Sequence, residues 1–474
     1  MSKILLINPP SVSGKTTDRR PRCTNNAPGG LLHPPMTLLY LGGVFRKYGF
    51  RTKLIDASLE QLDEIKVLDI AKNFQPNLIF ILTGLFTFTN DFSILKNLRR
   101  FFPGKIIAVG EAATIFAKTF LIDYPELDYC ILGEPELPAI QFIEYLDKKR
   151  KIPEVVNLAY CQDNKVIINQ REVFDDLDKI PFPDRSLIDN FQYRCVPFLS
   201  GKFTDLLTSR GCPYNCKFCS AHAFWGKKYR SRSAENILAE VKGCKEKYGL
   251  SNFFILDDLF ILDKSRLAKL NKGFKDLKIK WAIQTRVDLV DRNSLKAMAQ
   301  AGCFYIHYGG ESGSQRILDY YDKKVTVKQI KSAIYWTKEA GILSCATFII
   351  GNPEETKADI EKTIALANSL DLDYVHFSPL IPQPASPFFE EYKNLGILKH
   401  FDFSLYTKPN IIFRSKYLSE EEIRGYLSKA YRITLLSPKF IFRHLKRLIF
   451  KRDLLALQQI YRGGLWAIRT FVKN

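Results

Sequence analysis

Two successive runs of short apolar segments, each alternating with helix-like ones, constrain this chain more than any other feature. In residues 1–150 the segments Lys3–Asn8, Leu78–Thr83, Ile106–Gly110 and Tyr129–Leu132 have the apolar character of buried strands, and Arg51–Asp56 reads as a further strand. Helical spacing separates them at Leu38–Tyr48, Phe92–Phe102 and Ala113–Phe120. This alternation predicts an α/β fold with a doubly wound, Rossmann-like parallel sheet whose ligands sit at the strand carboxyl ends. Those ends are Pro9-Pro10, Thr83-Gly84-Leu85, Gly110-Glu111 and Gly133-Glu134-Pro135-Glu136.

Residues 151–200 interrupt the pattern with a hairpin around Asp163-Asn164 and a Pro-marked connector at Asp176–Arg185. The alternation then resumes at Asp205–Ser209, Asn252–Leu256, Lys280–Gln284, Cys303–Tyr308, Cys345–Ile350 and Tyr374–Ser378. Six such units predict a partial (β/α)6 barrel over residues 201–395, with its chemistry on the loops that follow the strands. Residues 396–474 form a helical, basic C-terminal region.

Composition removes several classes. With 46% hydrophobic and 25% charged residues, the 474-residue chain is neither disordered nor fibrous. No run reaches the ~20 apolar residues of a spanning helix, and the opening lacks a signal-peptide core. A cytoplasmic protein is expected, its ten cysteines reduced rather than paired. The formal charge is +20, and residues 437–474 hold nine basic side chains (Lys439, Arg443, Lys446, Arg447, Lys451, Arg452, Arg462, Arg469, Lys473) against Asp453 alone. Helical projection places Phe440, Ile441, Leu445, Leu448 and Ile449 on one side and Lys439, Arg443, Lys446, Arg447 and Lys451 on the other. Such a helix fits an anionic membrane surface, or packing on the barrel with a solvated basic face. A nucleic-acid partner is not expected. Ser13-Gly14-Lys15-Thr16 ends like a phosphate-binding loop, but Pro9 stands where that motif needs glycine. Arg19-Arg20-Pro21-Arg22 reads as a mobile basic loop over the cofactor face.

Seven cysteines are scattered. The other three stand together in Cys212-Pro213-Tyr214-Asn215-Cys216-Lys217-Phe218-Cys219, immediately after the first strand of the second run. Three thiolates on one loop hold three irons of a [4Fe–4S] cube and leave the fourth open. Zinc is the alternative, with His222 as fourth ligand.

The C-x3-C-x2-C motif resembles that of the radical S-adenosylmethionine (SAM) superfamily, and further loops match in chain order. The resemblance implies that Cys212, Cys216 and Cys219 bind the cluster and that its open iron takes the methionyl group of SAM. Reductive cleavage then gives a 5′-deoxyadenosyl radical. It also implies Phe218 beside adenine, Asp257 or Asp258 on the SAM amino group, and Arg286 on its carboxylate. Glu311 and Ser312, in Gly309-Gly310-Glu311-Ser312-Gly313-Ser314, would meet the ribose or methionyl part. Gly351, in Gly351-Asn352-Pro353-Glu354-Glu355-Thr356, would bring backbone near adenine. Pro382–Pro387, after the sixth strand, would border the substrate.

The N-terminal half resembles the cobalamin-binding domain of one radical SAM subfamily, through Lys3–Pro10, Leu38–Gly43, Leu54–Asp56 and Leu132–Glu136. The D-x-H-x-x-G motif of cobalt-ligating histidine domains is absent. By this resemblance cobalamin binds without a protein histidine. Pro10, Thr83, Gly84 and Leu85 would face it, and Gly110 and Glu111 would meet its phosphate and amide groups. The layout is similar to that of hopanoid C-methylases and the anaerobic magnesium-protoporphyrin cyclase. It implies methylation of an unactivated carbon on a small-molecule or lipid substrate, fed by an external low-potential electron donor. Alternatives are oxidative cyclisation or rearrangement, a methylthiotransferase without cobalamin, and a non-catalytic iron–sulfur protein. The methylthiotransferase reading lacks its extra cysteines, since residues 1–150 hold only Cys23 and Cys130.

Overall fold

A computed structural model of the chain describes residues 2–12, 16–21, 23–26, 32–195, 197–198, 202–407 and 410–451. It divides into two compact units, one of residues 1–195 with 221–232, the other of residues 196–220 with 233–474.

The first unit contains β1 (Lys3–Asn8), β2 (Thr17–Arg20), β3 (Cys23–Asn26), α1 (Met36–Lys47), β4 (Arg51–Asp56), α2 (Glu64–Phe74) and β5 (Leu78–Thr83). It continues with α3 (Phe88–Asp91), α4 (Leu95–Arg99), β6 (Lys105–Gly110), α5 (Glu111–Asp123), β7 (Tyr129–Ile131), α6 (Glu136–Leu146), β8 (Leu158–Gln162) and β9 (Lys165–Ile168). A seven-stranded sheet runs β4-β1-β5-β6-β7-β8-β9. Its first five strands are parallel, and the β8–β9 hairpin joins them antiparallel. All six residues of β5 are buried, as the unbroken apolar run requires. The strand order reverses at β1, so the ligand crevice of a doubly wound sheet lies between β1 and β5.

Two expectations need correction here. The stretch Phe92–Phe102 is not one helix: it holds only the five-residue α4, and the short α3 ends before it at Asp91. Nor is Arg19-Arg20-Pro21-Arg22 a mobile loop. Thr17–Arg20 forms an antiparallel hairpin with Cys23–Asn26, and Arg19 is 3% exposed. Arg22 and the Ser13-Gly14-Lys15 stretch lie outside the described residues.

The second unit opens with β10 (Phe203–Leu206) and β11 (Ser209–Arg210). The excursion that belongs to the first unit carries α7 (Ala221–Trp225) and β12 (Arg230–Ser231). Then follow α8 (Ala234–Tyr248), β13 (Asn252–Ile255), α9 (Lys264–Asp276), β14 (Lys280–Thr285), α10 (Arg292–Gln300) and β15 (Cys303–Glu311). The unit ends with α11 (Gln315–Tyr320), α12 (Val327–Glu339), β16 (Leu343–Ile350), α13 (Lys357–Ser369), β17 (Tyr374–Pro379), α14 (Pro387–Asn394), α15 (Glu420–Leu435) and α16 (Pro438–Lys451). Its six main strands pair in parallel in chain order, β10-β13-β14-β15-β16-β17. This is the partial (β/α)6 barrel. Its first strand ends at Leu206, and Ser209 belongs to a separate short strand. Its fourth runs on through Gly309-Gly310-Glu311 instead of stopping at Tyr308.

Outer and inner barrel faces follow from side-chain partners. Tyr308 bonds Thr337 on α12, and Phe348 and Phe377 stack toward Tyr431 on α15. Alternation along each strand therefore turns His307, Thr347 and His376 inward. The helix α16 also departs from its projection. Phe440 and His444 are buried, but Ile441 and Phe442 are 43% and 69% exposed. Arg443 turns inward to Asp371 and the Leu372 carbonyl. The side chains of Leu445, Lys446, Arg447, Leu448, Ile449 and Lys451, and all of Arg452, Asp453, Arg462, Arg469 and Lys473, lie outside the described residues. Among the described residues no helix is long and apolar enough to cross a membrane.

Candidate active site

The second unit brings the sequence-selected residues to the carboxyl end of the barrel. Cys212, Cys216 and Cys219 share one partly exposed loop, none of them in a disulfide, and the Cys219 amide donates to the Cys216 carbonyl at 3.1 Å. Burial pushes the Cys212 thiol up to about 11, with Asp258 and the two neighbouring cysteines adding to the rise. Among the described residues no group of three or more His, Cys, Asp or Glu side chains is drawn close enough to hold one metal ion.

Charged partners surround the loop. Arg286 is 6% exposed. It forks onto Asp288 at 2.9 and 3.0 Å, donates to the Lys323 carbonyl at 2.6 Å and points Nη1 at Cys216 Sγ, 3.6 Å away. Its plane stacks 3.6 Å from the centre of the Tyr214 ring. Burial opposes the Arg286 charge, but Asp288, Cys216 and Tyr214 hold its pKa above the usual value. Lys323, also buried, pairs with Glu311 at 2.8 Å and lies 5.5 Å over the Phe218 ring. Glu311 adopts φ +56°, an uncommon conformation for a side-chain-bearing residue, here held by the Lys323 pair. No motif marks Lys323; only its position in the fold reveals it.

Other selected residues serve the loops themselves. Asp257 is buried and accepts from the Thr208 amide at 2.7 Å and from the Thr208 and Ser209 hydroxyls. Burial raises its pKa, and Arg266 opposes the rise. Asp258, beside Cys212 and only half-buried, remains the more accessible acid of the pair. Ser312 is fully buried and meets Thr363 at 3.0 Å, tying its loop to α13. The Gly351 amide donates to Glu355 at 2.6 Å. Gln383, in the Pro-rich segment, accepts from Ser220 at 2.7 Å. Reasoning from sequence also missed the inward-facing His307, bonded to Thr347 at 2.8 Å, with the His376 ring 6.1 Å away.

In the first unit the strand ends are knit together from within. Arg19 donates to Asn8 at 3.1 Å, the Pro9 carbonyl at 2.9 Å, the Pro10 carbonyl at 3.0 Å and Asp91 at 2.7 Å. Asp91 in turn accepts from the Gly84 amide and Thr87 hydroxyl, both at 2.8 Å. Arg19 therefore fills the crevice between β1 and β5. Thr83 bonds the Val109 carbonyl at 2.9 Å and accepts from the Ala113 amide at 3.0 Å. Leu85 is fully buried, its amide donating to Thr24 at 3.2 Å. A Cβ on Gly84 would sit 2.5 Å from the Thr87 hydroxyl. Gly110 has φ +107°, open to glycine alone at no steric cost, and Glu111 is buried at the start of α5. On the next strand end, Glu134 pairs with Arg230 of the excursion, both fully buried.

Residues 206–367 match the sequence profile of the Radical SAM superfamily. An uncharacterized methyltransferase of Pyrococcus horikoshii is 30% identical over 97% of this chain and 98% of its own length. The chain belongs to the radical SAM superfamily. Its chemistry accordingly uses a [4Fe–4S] cluster and SAM. The anaerobic magnesium-protoporphyrin IX monomethyl ester cyclase of Cereibacter sphaeroides is 27% identical over 84% of this radical SAM chain and 66% of that protein. Two solved structures share the fold. The cobalamin-dependent S-adenosylmethionine radical enzyme OxsB, with aqua-cobalamin and S-adenosylmethionine bound, superposes with a TM-score of 0.73 at 17% identity, covering 96% of this chain and 72% of that one. The radical S-adenosylmethionine methyltransferase TsrM from Kitasatospora setae, with cobalamin and a [4Fe-4S] cluster bound, gives 0.70 at 16% identity, covering 92% and 90%.

Proposed function

We propose that this radical SAM protein is a cobalamin-dependent C-methyltransferase acting on an unactivated carbon. The observation that carries this reading is the second parallel sheet in the same chain as the cluster barrel. The ends of β5, β6 and β7, where such sheets bind ligands, carry Gly84, Gly110 and Gly133; each is buried, Gly84 against Thr24 and Thr87 and Gly133 against Arg171 and the Phe224 carbonyl. No histidine stands on those loops, and the fit is to a corrinoid without a protein imidazole ligand. The methyltransferase relative of Pyrococcus horikoshii, which matches nearly the whole chain, supports methyl transfer over cyclisation.

When bound, the cluster supplies one electron, SAM a carbon radical, and cobalamin a methyl group. The chain's own residues bind and orient. Cys212, Cys216 and Cys219 hold the cluster. Phe218, Asp258, Glu311 and the Gly351 backbone line the place for SAM. Inside the barrel, His307, Thr347 and His376 present polar groups to a small-molecule substrate. The exposed Ile441 and Phe442 beside Lys439 on α16 support peripheral contact with an anionic membrane surface.

Anaerobic reconstitution with iron and sulfide, followed by dithionite and SAM, tests the reading. The expected results are 5′-deoxyadenosine formation and cobalamin retained through gel filtration, seen by visible absorbance. A loaded cluster that yields no 5′-deoxyadenosine would refute radical chemistry. A protein that cleaves SAM but never retains cobalamin would return the assignment to a cobalamin-free enzyme.

A further inference from the structure

Arg286 stands where the family resemblance places a partner for the SAM carboxylate, yet its donors are directed elsewhere. A guanidinium has five N–H groups. Three are committed to oxygen, two on Asp288 and one on the Lys323 carbonyl. A fourth is aimed at Cys216 Sγ at 3.6 Å. Stacking on Tyr214, which lies between Cys212 and Cys216 in the same loop, fixes the plane of the group. Burial at 6% exposure keeps solvent from screening it.

We propose that Arg286 is a positioning residue for the cluster, donating to the Cys216 thiolate and raising the cluster's reduction potential. Hydrogen bonds to cluster sulfurs and nearby charge are among the determinants of such potentials. Reduction adds one negative charge to the cluster. A cation bonded to one of its sulfurs stabilises that state more than the oxidised one. Asp288 works in the opposite sense, since its carboxylate offsets part of the guanidinium charge. The fork and the stack both need a planar group, so lysine is a poor substitute.

The inference rests on the cluster occupying the three-cysteine loop, and the test separates the two. The full-length protein is reconstituted anaerobically without SAM, and its cluster is titrated against potential by electron paramagnetic resonance. A wild-type protein with no cluster signal would refute the cluster assignment itself. With clusters loaded, Arg286→Gln is expected to lower the reduced-to-oxidised ratio at a fixed potential about tenfold, a downward midpoint shift of about 59 mV for one electron. Arg286→Lys recovers only part of it. Asp288→Asn shifts the midpoint upward. Wild-type potentials in both Arg286→Gln and Asp288→Asn would overturn the proposal. Weakened SAM binding in Arg286→Gln with no change in potential would also overturn it, giving Arg286 to the SAM carboxylate. If Arg286→Gln fails to load a cluster, Asp288→Asn decides alone, and an unchanged midpoint there refutes the proposal.

Discussion

In the barrel, the loop after β16 is held by its own sequence: Glu355 accepts from the Gly351 and Asn352 amides, while Thr356 and Asp359 cap each other at the start of α13. In the N-terminal sheet, the loop after β5 is held by Asp91 and by Arg19, 72 residues from that acid in the chain. One strand end is therefore secured locally and the other by a distant hairpin. The difference matters for the cofactors. The Gly84–Thr87 loop bonds to Asp91, and the β2–β3 hairpin adds Arg19 on that acid and Thr24 on the Leu85 amide.

The largest effect comes from separating the two regions chemically. Cys216→Ala is expected to abolish the cluster absorption and all 5′-deoxyadenosine formation, while cobalamin retention stays at the wild-type level. Parallel loss of cobalamin would show that the N-terminal edge depends on the cluster loop. The reciprocal variant is Arg19→Met. It leaves Asp91 buried without its cation, and breaking a buried pair this way costs about 3–5 kcal/mol. A lower urea midpoint and lost cobalamin retention are expected, with SAM cleavage preserved. Arg19→Lys should restore part of both. Retention of cobalamin by Arg19→Met would break the comparison, because the distant hairpin would then be dispensable.

The same contrast explains what could be read from the sequence. The central strands were legible because they are short, buried apolar runs, as β1 and β5 are, and the edge strand β4, buried only at Leu54–Asp56, still falls where the alternation places it. The cluster loop was legible because its three cysteines are fixed by spacing. Arg19 was not, since a basic tripeptide beside proline looks like solvated loop until the fold puts Asp91 opposite it. Lys323 was hidden for the same reason: its partner Glu311 lies across a strand end, and neither residue's neighbours announce the pair. Asp257 and Asp258 are adjacent in sequence, yet one is turned into Thr208 and Ser209 and the other toward Cys212. Only the bend after β13 distinguishes them.

A smaller and more specific effect should come from Glu355. Burial pushes its carboxyl up to about 8, against 4.5 in an ordinary environment. The folded protein therefore keeps a proton that the unfolded chain releases between those values. Stability falls as pH rises through that window and levels off above about 8. Glu355→Gln keeps an oxygen to accept from the Gly351 and Asn352 amides but cannot ionise. Its urea midpoint, measured on either side of the window, should lose this decline and exceed wild type at the alkaline end. An unchanged slope would mean that the buried carboxyl is not the group responsible.

Thr356→Ala tests the local arrangement with the least disturbance. Thr356 accepts from the Asp359 amide at 3.4 Å, and Asp359 accepts in return from the Thr356 amide at 3.1 Å. Arg316 and Ser314 add to the donors that hold the Asp359 carboxyl well below the usual carboxylate range, despite burial. Removing the hydroxyl leaves Asp359 those other partners, so the loss should stay near that of one helix cap, about 1 kcal/mol. Thermal unfolding gives the stability, and SAM cleavage at saturating SAM should be unchanged. A loss several times larger would mean that this cap, like Arg19 in the other sheet, supports the strand-end loop through contacts beyond its own helix.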